Sequence, residues 1–154
     1  MNVAWMYLDK EAAAIKALKD FERVEKVIES YQGRLEEART RMLSSRTPVL
    51  SHAHASSAGA STAEDVIAET IDTIDAIKEN YRQAVAFMQW FLPAWNALDD
   101  DERSVMTAFY QHVYENKTAM LYDVSAELGV ERASVYRLKD KAVKRLAQLL
   151  YGKP

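Results

Sequence analysis

Cysteine is absent from this 154-residue chain. That excludes disulfides, thiolate nucleophiles and cysteine-ligated zinc together, and it agrees with a reducing compartment. Glycine and proline are scarce, at 4 and 3 residues. Their scarcity, with an Ala/Glu/Lys/Arg/Leu-rich texture, argues for helices and against a turn-rich β fold. No apolar run approaches the ~18 residues that span a bilayer. Met1 to Lys10 has no basic stretch followed by an apolar run, so no signal peptide and a cytoplasmic location are the expectations. There is no phosphate-binding glycine loop, no nucleophile with a matching base, and no carboxylate pair apart from helix caps. An enzyme, a cofactor and a small-molecule substrate are therefore not expected.

A net positive charge is also missing: the formal total is −3. The charge is unevenly spread. From Glu131 to Pro154 seven basic and two acidic residues give +5, which leaves −8 for the rest of the chain. A short basic end on an acidic body is the asymmetry expected where one element meets a polyanion.

What the chain has in plenty is apolar periodicity. Close to half of its residues are apolar, enough for a packed core. Phe21, Val24, Ile28, Tyr31, Leu35, Ala38 and Met42 alternate in steps of three and four, an a/d seam in a helix predicted over about Val3 to Leu43. Ser44 to Ser61 is rich in Ser, Ala and His without periodicity and reads as a flexible linker. Ser61-Thr62-Ala63-Glu64 fits a capping box, and a second seam follows in Thr70, Ile74, Ile77, Tyr81, Ala84, Met88 and Phe91. Two such seams predict an antiparallel helical hairpin over residues 1–95, or helices that pair with another copy. Pro93 is expected to end or kink the second helix.

Asp99 to Glu102 reads as an N-cap and an acidic first turn. The helix it starts is predicted to carry Val105, Met106, Phe109, Tyr110, Val113 and Tyr114 on one face, and to stop near Asn116 as C-cap. Residues 96–154 form the second predicted domain. In it a short helix, about Ala119 to Leu128, stops at Gly129, and a longer one runs from about Arg132 to Leu150. Gly129 suits a tight turn that needs the left-handed region. Ser125 is the small residue where the two helices cross. Val124, Leu128, Val130, Val135 and Leu138 are expected to face a shared core, with Ala142, Leu146 and Leu149 extending the stripe. That leaves Arg132, Ala133, Ser134, Tyr136 and Arg137 outward, where a recognition helix reaches base edges in the major groove. Lys139, Lys141, Lys144 and Arg145 suit phosphates. Glu131 is a poor N-cap, and Asp140 is expected to pair with Lys144 one turn on.

Leu98 to Met106 with Phe109-Tyr110, Val124 to Val130, and Ser134 to Arg137 resemble sigma-factor region 4 in order and spacing. The whole chain resembles phage-encoded transcriptional regulators of the RinA/ArpU type. The resemblance implies an all-α protein of a bacterial host cell, with a helical hairpin ahead of a helix-turn-helix. It also implies double-stranded DNA as partner and control of phage or prophage genes. Host RNA polymerase and a second copy of the chain are the further expected partners. A small-terminase-like packaging subunit and a helical protein–protein adaptor are the alternatives. His52 and His54 read as linker residues, His112 as a surface or packing residue, and Trp90, Phe91 and Trp95 as a core joint. No metal site is expected.

Overall fold

The computed structural model describes residues 3–46 and 62–152. After a 3-10 turn over Val3–Tyr7 come five α-helices: α1 (Lys10–Arg46), α2 (Ala63–Asn96), α3 (Asp100–Tyr110), α4 (Lys117–Leu128) and α5 (Arg132–Tyr151). No strand occurs among the described residues, and none of the described helices is long and apolar enough to cross a membrane. The chain forms two compact units. One comprises residues 25–86, and the other residues 1–24 with 87–154. The second of these takes in α3, α4 and α5 together with the flanking segments of α1 and α2, a wider body than the predicted 96–154.

In the unit of residues 25–86, the seam positions account for the burial. Leu35, Ala38, Thr70, Ile77 and Ala84 are buried, and Ile28, Tyr31, Met42, Ile74 and Tyr81 are half-buried. Tyr31 and Tyr81 stack with ring centroids 3.9 Å apart. Thr70, a polar residue on this face, satisfies its hydroxyl by donating to the Val66 carbonyl at 2.7 Å.

In the other unit, Ala14, Ala17 and Leu18 of α1, with Phe91 and Ala94 of α2, share one core with α3, α4 and α5. Phe91 is fully buried and packs between Phe87 and Trp95, at 5.4 and 6.0 Å between centroids. Trp90 lies against Tyr151, whose ring also meets Trp5 edge-on at 5.5 Å. The aromatic cluster near Pro93 is thus core, and burial pushes the Tyr151 phenol up.

Several boundaries differ from expectation for local reasons. The helix predicted to end at Leu43 runs on to Arg46, so 44–46 are helical and the rest of the predicted linker, with His52 and His54, lies outside the described residues. The capping box sits one residue later than expected. The Thr62 N–H donates to Asp65 Oδ2 and the Asp65 N–H to Thr62 Oγ1, each at 3.1 Å, because Asp65 stands at the third helical position where a carboxylate reaches back. Those bonds hold the Asp65 carboxyl below its ordinary range. Pro93 lies inside α2, which continues three residues beyond it; proline removes a donor, not its own carbonyl, and the Pro93 carbonyl accepts the Ala97 N–H at 3.2 Å. Helix α3 stops at Tyr110 rather than near Asn116. Val113 is therefore off the helix face and 92% exposed. Asn116 starts α4 as its N-cap, its Oδ1 accepting the Ala119 N–H at 2.8 Å.

Candidate nucleic-acid interface

The turn between α4 and α5 is built from three local bonds. Gly129 occupies the left-handed region at φ 65°, ψ 33°, and its N–H donates to the Ser125 carbonyl. The Val130 N–H donates to the same carbonyl at 3.2 Å, and the Ser125 hydroxyl donates to the Val130 carbonyl. The small residue at the crossing therefore also ties the turn to the end of α4. Glu131 caps α5 with its backbone alone: its carbonyl accepts from Ser134 and Val135, and its side chain makes no cap bond.

One face of α5 is apolar. Val135, Ala142, Val143, Leu146, Ala147 and Leu150 are buried, against Val105, Met106 and Ala108 of α3 and Met120 and Val124 of α4 in the same core. Leu128, Val130 and Leu138 are half-buried at its edge. Leu149 is the exception to the predicted stripe. At 45% exposed it lies outside the core, because the inward face drifts by the 3.6-residue period from Leu146 to Leu150.

The opposite face carries the charge. Arg137, Lys141 and Lys144 are exposed there; Arg132 and Ala133 are exposed at the first turn, where Arg132 projects from the helix end, and Ser134 is half-buried. None of the four cations has an ion pair among the described residues. Arg132 and Lys144 are twelve residues apart, about 18 Å along the axis. Arg137, Lys141 and Lys144 border a shallow depression with Asp140, Arg145 and Gln148.

Three candidate contact residues have partners inside the protein. Tyr136 meets Phe109 edge-on at 5.8 Å, and Lys117 Nζ lies 5.4 Å from the Tyr136 centroid. Lys139 Nζ is 5.6 Å from the Phe109 ring centroid and 2.6 Å from Asp140. That bond raises the Lys139 ammonium above its ordinary value and gives Asp140 a different partner from the expected Lys144. Arg145 reaches Glu102 of α3 at 2.8 Å. Nothing in the sequence spacing marked these three, since each contact is tertiary or depends on a rotamer.

The acidic run before α3 is a helix start. Asp99 Oδ1 accepts the Glu102 N–H at 2.8 Å, and Glu102 Oε2 accepts the Asp99 N–H at 3.1 Å, a complete capping box. His112 meets Tyr114 edge-on at 4.5 Å. No group of three His, Cys, Asp or Glu side chains among the described residues is placed to hold a metal ion. In comparisons with known proteins, no family model, no curated protein and no solved structure matches this chain.

Proposed function

We propose that this chain is a sequence-specific DNA-binding regulator of phage or prophage genes, with α4, the Gly129 turn and α5 as its helix-turn-helix. The observation that carries the reading is the set of unpaired cations on α5, with Arg132 at its exposed first turn and Arg137, Lys141 and Lys144 on its outer face. A helix held by its apolar side, with Arg132 and Arg137 near its start and Lys141 and Lys144 farther on, has the layout of a helix lying in the major groove. Arginine near the start makes bidentate bonds to guanine, and lysine along the flank neutralises phosphate. The left-handed glycine at the turn and the Ser125 bonds beside it support the motif. Arg132, Ala133, Ser134 and Arg137 are the base-facing residues of this reading, and Lys141 and Lys144 its phosphate contacts.

The matched seams of α1 and α2, together with the Tyr31–Tyr81 stack, support a long antiparallel hairpin. One recognition helix offers few base contacts, so tight sites need two half-sites or a partner. The hairpin is the element that would join two copies or contact host RNA polymerase. The test is a pull-down of phage and host genomic DNA by the full chain, with sequencing of the bound fragments. Enrichment of a promoter-proximal sequence, footprinted by a monomer or dimer, supports the regulator. Enrichment at a packaging site by a ring-sized particle assigns the chain to DNA packaging instead. No enrichment overturns sequence-specific binding.

A further inference from the structure

Arg145 follows Lys144 directly and borders the same depression, yet its guanidinium is engaged within the protein. Nη1 donates to Glu102 Oε2 at 2.8 Å, and Nη2 donates to the Ala97 carbonyl at 3.1 Å. The same Glu102 oxygen closes the capping box of α3 with Asp99. Glu102 is fully buried, and its second oxygen, Oε1, has no hydrogen-bond partner among the described residues. A buried carboxylate in that state depends on its one cation. The planar fork of Arg145 is what lets a single side chain reach a carboxylate and a carbonyl together; an ammonium does not reproduce it.

We propose that Arg145 is a positioning residue for DNA recognition and not a phosphate contact. The Glu102–Arg145 bond fixes the rotation of α5 about its own axis, and so the aim of Arg132 and Arg137. The inference rests on the DNA-binding reading above. A helix with side chains has a radius of about 6 Å, so a turn of roughly 20° moves an outward group by about 2 Å. That displacement breaks a bidentate bond to a base, whose geometry allows a few tenths of an ångström. It spares phosphate contacts, because long lysine side chains follow the charge. Arg145 is thus expected to govern sequence preference, and Lys144 to govern overall affinity.

The experiment compares a duplex enriched by the wild-type chain from a random-sequence pool with a scrambled duplex of the same composition, across a salt series. Wild type, R145K, R145Q, E102Q and K144Q are measured, each checked for helix content by circular dichroism. R145K keeps the charge and loses the fork. It is expected to lose roughly tenfold or more of the preference for the enriched duplex, with the salt slope unchanged. E102Q is expected to lose preference too, although removing an acid would by charge alone strengthen DNA binding. K144Q is expected to lower the slope by about 0.9 and to weaken both duplexes alike. If R145Q fails to fold, R145K and E102Q decide. Wild-type preference in R145K, or a slope lowered by about 0.9 in R145Q with preference intact, overturns the positioning role and leaves the DNA reading standing. Absence of salt-dependent binding by the wild type removes both.

Discussion

Replacing Gly129 by alanine isolates the backbone contribution of the turn. A Cβ built at this position meets no atom within 4 Å, so the substitution adds no clash and removes no packed side chain. What remains is the conformation, φ 65° and ψ 33°. An L-residue with a Cβ costs about 1–2 kcal/mol there. Alanine also restricts the unfolded chain, which returns about 0.4–1 kcal/mol. The expected net loss for G129A is about 1 kcal/mol. Asparagine tolerates the left-handed region better, and G129N is expected to lose roughly half as much. Urea unfolding followed by tryptophan fluorescence is suited to this test. Trp5, Trp90 and Trp95 all lie in the same compact unit as Gly129, so the signal reports that unit. With an m-value of about 1–3 kcal/mol/M, the midpoint should fall by roughly 0.3–1 M. A loss above about 3 kcal/mol would mean that the turn is packed, and a gain would mean that it is not left-handed. Either result refutes the reasoning.

Other expectations follow from neighbouring features. Leu146 is fully buried and Leu149 is not, so L146A should cost about 3 kcal/mol and L149A under about 1 kcal/mol in the same unfolding assay. The Glu79 carboxyl is held down to about 2 by its hydrogen bonds to Arg82 and Gln83. Being depressed, it supports α2 at pH values above its unfolded range, and this support fades as pH falls from about 4.5 towards 2. An NMR titration should place its midpoint near the lower value, and R82A should move it back up. Because the Tyr136 ring is held by Phe109 and Lys117, Y136F should bind an enriched duplex within about threefold of wild type by anisotropy; a tenfold loss would give the hydroxyl a role in readout.

The all-helical fold was legible because apolar periodicity is a local signal that tertiary packing reinforces. The two seams and the inward positions Val135, Leu138, Ala142 and Leu146 are all buried or half-buried. Helix ends were less legible. Asn116 is favourable at either end of a helix, and only the early stop of α3 decides that it starts α4. Thr62 took the cap from Ser61 because the reciprocal carboxylate comes from Asp65. For the candidate interface, the wheel of α5 separated Arg137, Lys141 and Lys144 from the core, while Arg132 is exposed by standing at the helix start. It could not show that Lys139 folds over Phe109 onto Asp140, or that Arg145 turns back to Glu102 forty-three residues earlier. Long cationic side chains choose partners by reach, and reach depends on which helix lies alongside.

The central claim is that α5 binds duplex DNA through its four exposed, unpaired cations. It is tested most directly by the slope of log binding constant against log salt for the wild type and for a variant with Arg137, Lys141 and Lys144 changed to glutamate. The two phosphate contacts, Lys141 and Lys144, predict a wild-type slope of about −2, with binding by the variant lost. A wild-type slope near zero, or equal slopes for the two proteins, would contradict the claim.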